Sequence, residues 1–224
     1  MVSKTMQTPE EFVIGVQESK LIAIVRGTSG KFAAAAALAL MEEGFRYVEV
    51  ALTTPDATSA IAEIRANAPP GSLVGAGTVL TVGNVKDVIA AGAQFIVTPA
   101  ICESVREGAR QDIPVVAGAL TPSEVHAGMS QGATLIKLFP ASLGGPNYLK
   151  ALRDPFPTVP FIAVGGVGLT EAQSYWNLGA LAVGPGGPLV GNAASSGGDL
   201  VPLRQRARDY LALARRFQEA SARP

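Results

Sequence analysis

The run TLIKLF at residues 134–139 is apolar except at Thr134 and Lys137. A run that short, bounded by turn residues and nearly continuous rather than alternating, reads as a strand covered on both faces. Seven other runs share its character: LIAIVR (21–26), YVEVAL (47–52), LVGA (73–76), FIVT (95–98), IPVVA (113–117), PFIAV (160–164) and ALAV (180–183). The eight recur about every 20 to 25 residues, the spacing that compact βα units need.

Helical stretches lie between the runs. Lys31–Glu43 stops at Gly44, and Val82–Ala91 stops at Gly92. Pro55–Ala66 opens on a proline after Thr54, a candidate cap. Thr121-Pro-Ser-Glu124 reads as a capped helix start. Thr170–Leu178 ends before Gly179, and Leu200–Ala222 forms a long amphipathic C-terminal helix. Pro9–Ser19 adds a helix ahead of the first strand. The expected fold is α/β: a single (β/α)8 TIM barrel with an extra N-terminal helix, one domain over 1–224. An open doubly wound sheet is the rival, but its glycine fingerprint is missing after the first strand, where Arg26-Gly-Thr-Ser-Gly-Lys stands. GNAASSGGD (191–199) reads as a loop, not a domain boundary.

Composition narrows the function classes. The 224 residues are 48% hydrophobic and 16% charged, enough for a large core. Eighteen basic and eighteen acidic residues cancel, which argues against a nucleic-acid partner. One cysteine, Cys102, and one histidine, His126, leave no disulfide and make a zinc site unexpected. No apolar run is long enough for a membrane span, and the N-terminus lacks a signal-peptide core, so a cytoplasmic location is expected.

Active sites of such barrels lie at the C-terminal ends of the strands. Three runs carry a charge there: Arg26, Glu49 and Lys137. Charges inside apolar strands are costly unless paired or opened to a cavity. Desolvation disfavours a charged amine, and a neutral amine can form a Schiff base with a ketone. Lys137 therefore reads either as a nucleophile or as a side chain snorkelling from a strand end. Residues 47, 49 and 51 share one strand face, so Glu49 points into the barrel if Val50 and Leu52 meet the helices. It reads as a proton shuttle or as an ion-pair partner of Lys137 or Arg26. Arg26 can bind a substrate carboxylate or phosphate, hold Glu49, or both.

Val164-Gly-Gly-Val follows the seventh run, and Gly184-Pro-Gly-Gly-Pro follows the eighth. In barrels these two loops commonly hold phosphate through backbone N–H groups. Gly165, Gly166, Gly186 and Gly187 are the candidates, against a reading as ordinary turns. Thr78 offers a hydroxyl at the barrel mouth or caps the next helix. His126 reads as solvent-facing, Cys102 as packing, and Trp176 as core or interface.

Glu49, GAGTV (75–79), IVTPA (96–100), IKLFPAS (136–142) and AVGGV (163–167) together resemble the KDPG/KHG aldolases, which act on 2-keto-3-deoxy-6-phosphogluconate and 4-hydroxy-2-oxoglutarate. The resemblance runs in order from about Leu21 to Val190. It implies a homotrimeric class I aldolase with no metal and no cofactor beyond a Schiff base on Lys137. The implied substrate is a sugar-acid phosphate, cleaved to pyruvate and D-glyceraldehyde 3-phosphate. Alternatives are cleavage of 4-hydroxy-2-oxoglutarate to pyruvate and glyoxylate, or a silent barrel that binds a phosphometabolite. The resemblance assigns acid/base work to Glu49 and pyruvate-carboxylate binding to Thr78, with Arg26 bordering that site. It assigns pocket shaping to Pro99, Ala100 and Phe139, and phosphate binding to the four glycines.

Three positions depart from common family patterns. Thr53 stands where many members have arginine, and Gly187 where some have serine. Val164 stands where phosphogluconate-type members have threonine, which looks closer to the 2-keto-3-deoxy-6-phosphogalactonate branch. The two substrates differ at one hydroxyl-bearing carbon, and a threonine hydroxyl can bond one epimer where valine cannot.

Overall fold

The structure, a computed structural model, describes residues 7–221. Eight parallel strands pair in chain order: β1 (Ala23–Val25), β2 (Tyr47–Ala51), β3 (Leu73–Gly77), β4 (Ile96–Val97), β5 (Val115–Ala119), β6 (Leu135–Leu138), β7 (Phe161–Val164) and β8 (Ala182–Gly184). The last strand meets the first. Ile22 N–H donates to the Val183 carbonyl at 3.1 Å, Val183 N–H to Lys20 at 3.0 Å, and Ile24 N–H to Pro185 at 3.1 Å. The sheet thus forms the expected (β/α)8 barrel.

The helices are α1 (Pro9–Ser19), α2 (Gly30–Glu43), α3 (Ala57–Asn67), α4 (Val82–Ala90), α5 (Glu103–Arg110), α6 (Pro122–Ser130), α7 (Gly145–Arg153), α8 (Leu169–Asn177), α9 (Gly187–Val190) and α10 (Leu200–Ser221). Reciprocal capping boxes start α1 (Thr8 with Glu11) and α6 (Thr121 with Glu124), giving orphan N–H groups partners. Ala222, the expected last residue of the C-terminal helix, lies outside the described residues.

One helix start differs from expectation. α3 begins at Ala57, not Pro55, and Thr54 does not cap it. The Thr54 hydroxyl instead accepts the Gly27 N–H at 3.0 Å, tying the loop after β2 to the loop after β1. Asp56, at φ 56°, holds the chain out of the helix until residue 57. Three helices, α5, α7 and the four-residue α9, have no counterpart in the sequence reading. α5, ESVREGAR, buries only Ser104, Val105 and Gly108, too thin a face to show as periodicity.

Strand alternation divides the apolar residues into two cores. Val48, Val50, Val74, Ala76, Ile136 and Leu138 face outward and pack against the helices. Ile22, Tyr47, Leu73, Phe95, Val116, Leu135 and Ile162 fill the barrel interior with Phe12 and Val16 of α1. Phe12 sits edge-on to Tyr47 with centroids 5.3 Å apart, and 5.1 Å from Phe95. The extra N-terminal helix is therefore the floor of the barrel. Its N-terminal plug leaves the opposite end, where the strands finish, free for a site. Trp176 is buried in the outer core and His126 is exposed, as read from the sequence. No helix among the described residues is long and apolar enough to cross a membrane.

Candidate active site

Glu49 has the same strand parity as Tyr47, and Lys137 the same as Leu135. Both side chains therefore sit inside the barrel, one step above its apolar floor. Glu49 is 3% exposed and Lys137 7%. In register, Glu49 lies beside Ile24 and Gly75, and Lys137 beside Gly118 and Ile162. Above this level β2 and β3 turn small on the inside, at Ala51 and Gly77. A Cβ on Gly77 would lie 2.6 Å from Glu49 Oε1, so only glycine leaves room for that carboxylate.

Burial pushes the Glu49 carboxyl above the ordinary carboxylate range, opposed by the charges of Lys137 and Arg26. No ion pair among the described residues includes Glu49 or Lys137. The two cations thus act on Glu49 through space rather than by direct contact. The Lys137 ammonium position, Nζ, stands 4.9 Å from the centroid of the Phe139 ring.

One cavity of about 320 Å³ opens at the C-terminal ends of the strands. Arg26, Glu49, Thr78, Pro99, Lys137, Phe139 and Val164 line it, with Gly165, Gly166, Gly186 and Gly187. All the candidate site residues but one thus meet in one place, although Arg26 stands at its exposed rim. Ala100, expected to shape the pocket, does not line it. Its carbonyl accepts the Thr98 hydroxyl at 2.7 Å. The same hydroxyl accepts the Gly118 N–H at 3.2 Å, which fixes the strand ends beneath Pro99.

By alternation Thr78 would point outward after Gly77. Its backbone instead takes φ 60°, a region a β-branched residue enters only when held there, and its side chain joins the cavity wall. The cap of α4 is Thr81, which bonds the Asn84 N–H at 3.1 Å, so Thr78 is not that cap. On the opposite wall, no backbone carbonyl among the described residues accepts from the N–H of Gly165, Gly166, Gly186 or Gly187. The sequence reading missed Ile24, Gly184, Pro188, Val190 and Gly191, which also line the cavity. Ile24 and Gly184 follow from strand parity. The short α9 does not, because Pro188 in a glycine cluster reads as a turn. No group of three or more potential metal ligands occurs among the described residues.

A closed parallel barrel with a lysine and a carboxylate buried inside it, both opening on one cavity, is the arrangement of a class I aldolase. The chain belongs to the KDPG and KHG aldolase family, whose model matches residues 14–204. It is 36% identical over 197 residues to a probable 2-dehydro-3-deoxy-6-phosphogalactonate aldolase of Rhizobium meliloti, covering 87% of this chain and 91% of that one. A solved native KDPGal structure superposes with a TM-score of 0.82 at 32% identity, over 89% of this chain and 96% of the other. A KDPG aldolase from Legionella pneumophila, with pyruvate captured as a covalent carbinolamine intermediate, superposes at 0.76 with 29% identity, over 93% and 97% of the two chains. The protein is accordingly an aldehyde-lyase of this family.

Proposed function

We propose that the protein cleaves a 2-keto-3-deoxy-6-phospho sugar acid, of the gluconate or galactonate series, to pyruvate and D-glyceraldehyde 3-phosphate. The observation that carries this reading is that Lys137 and Glu49, both buried, open on a cavity whose other wall is glycine-rich backbone. The Legionella relative's carbinolamine supports a covalent route through Lys137, with no cofactor beyond that linkage.

The Lys137 amine, once it has given up its extra proton, attacks the C2 ketone to give a carbinolamine. Glu49 supplies the proton on which its hydroxyl leaves as water, and the lysine becomes an iminium. Glu49, now a carboxylate, takes the C4 hydroxyl proton. The C3–C4 bonding pair moves into the iminium, and glyceraldehyde 3-phosphate departs. The enamine takes a proton at C3, and water releases pyruvate and the free lysine. Burial raises the Glu49 carboxyl and so favours the protonated form that starts this sequence. Arg26 and Thr78 bind the pyruvate-end carboxylate, Pro99, Phe139 and Val164 shape the pocket, and the four glycine N–H groups grip the phosphate. Val164 favours the galactonate series. The working unit is one barrel domain over 1–224, assembled as a homotrimer in the cytoplasm.

Borohydride reduction in the presence of pyruvate tests the core of this reading. A pyruvate-sized adduct on the peptide containing Lys137, absent in Lys137→Ala, is the expected result. A folded protein that gives no adduct would leave only a binding barrel.

A further inference from the structure

The four-residue α9 is too short to persist on its own hydrogen bonds. Besides the burial of Leu189 and Val190, what holds it is Arg206, from the second turn of α10. Its Nε donates to the Leu189 carbonyl at 2.6 Å and its Nη2 to the Val190 carbonyl at 3.0 Å. Those two carbonyls end the turn that begins at the cavity. Val190 N–H returns to the Gly186 carbonyl at 2.8 Å, and Gly191 N–H to Gly187 at 2.9 Å. Gly191, at φ 57° and ψ −129°, closes the turn, and a Cβ there would lie 2.9 Å from Arg206 Nη2. Gly191 therefore admits the guanidinium.

One turn further along the same face of α10, the Tyr210 hydroxyl donates to the Val167 carbonyl at 3.4 Å. Val167 directly follows Gly165 and Gly166. Burial, with the nearby charge of Glu171, pushes the Tyr210 phenol up to about 12, so it remains a donor throughout the working pH range. Leu203, Ala207 and Ala214 bury the rest of this face and fix the helix against the barrel.

We propose that Arg206 and Tyr210 are positioning residues: one helix face, outside the cavity, sets the placement of both glycine segments and so the grip on the substrate's phosphate end. The inference rests on the glycine phosphate site proposed above. Neither side chain lines the cavity, so neither touches substrate.

The test compares Arg206→Met, which keeps the aliphatic stem but removes both donors, with Tyr210→Phe. Each is assayed for cleavage of the phosphorylated substrate, for cleavage of the same acid without phosphate, and for exchange of the pyruvate methyl protons. Arg206→Met is expected to lower kcat/KM for the phosphorylated substrate about tenfold or more, mainly through KM, since small displacements of a binding group are costly. Tyr210→Phe should lower it about two- to fivefold, the scale of one modest hydrogen bond. Cleavage of the unphosphorylated acid and pyruvate exchange should stay at parent levels. Equal losses in all three assays, or no loss, would overturn the proposal. If Arg206→Met does not fold, Arg206→Lys, with one donor in place of a fork, must show the same selective loss. A parent enzyme that exchanges pyruvate yet handles both acids alike overturns the phosphate grip, and the brace with it. A parent enzyme that fails to exchange pyruvate overturns the aldolase chemistry itself.

Discussion

The carboxylate of Glu49 occupies the space where a side chain on Gly77 would begin, with Oε1 2.6 Å from that Cβ position. β2 and β3 are register neighbours here, so the glycine of one strand is the socket for the acid of the next. Gly77→Ala should expel the carboxylate from its place in the cavity. Turnover is expected to fall about 100-fold, because misplacing a catalytic group by about an ångström is that costly. Borohydride trapping on Lys137 should persist, and circular dichroism should confirm that the barrel is intact.

Glu49 also trades stability for chemistry. Its raised pKa means that the folded protein holds this proton more tightly than the unfolded chain, where the value is about 4.3. That contribution to stability is full below the unfolded value and is lost as pH rises through the folded one. Glu49→Gln removes the loss. The variant should melt at a higher temperature than the parent at neutral pH, with the gap closing in acid. Its turnover should drop about 100-fold or more, the usual scale for losing an acid/base group.

In the proposed function, Val164 is the residue that chooses between epimers. It is 3% exposed and lines the cavity without a polar atom. Val164→Thr introduces a hydroxyl at nearly constant volume. The ratio of kcat/KM for the gluconate-series over the galactonate-series substrate should rise about tenfold or more. An unchanged ratio in paired steady-state assays would remove Val164 from the specificity account.

The barrel floor makes a prediction about stability alone. Phe12 is fully buried between Tyr47 and Phe95. Phe12→Ala should cost about 3–5 kcal/mol in urea unfolding, the usual price of deleting a buried ring. Since the floor lies a layer below Glu49 and Lys137, the Michaelis constant should change far less than the denaturation midpoint.

The barrel was legible in its eight regularly spaced apolar runs, and the buried pair inside it for a physical reason. A charge inside an apolar strand is expensive, so Glu49 and Lys137 stood out, and period-two alternation told which way they pointed. The glycine clusters were legible because their place after the seventh and eighth strands has a known use. Other features left no such trace. The start of α3 shifted because Thr54 had a long-range partner, Gly27, that local capping rules do not see. Thr78 entered the cavity through a strained φ that composition does not announce. Arg206 looked like any charge on a solvated helix face, because its two carbonyl partners lie 16 and 17 residues away on a turn that the sequence did not reveal.

The hydrogen bonds from Ile22 to Val183, from Val183 to Lys20 and from Ile24 to Pro185 join the first strand to the last. On the ribosome, the N-terminal seven strands emerge before their closing partner exists. Until β8 is made, the sheet has two raw edges, at β1 and β7, each able to recruit a foreign strand. The pieces that finish the mouth are therefore made after the other strands: the closing strand first, then the helix that carries Arg206. A nascent chain stalled before residue 182 would hold its lysine and its glutamate in an unsealed sheet, prone to aggregation and without a cavity in which to react.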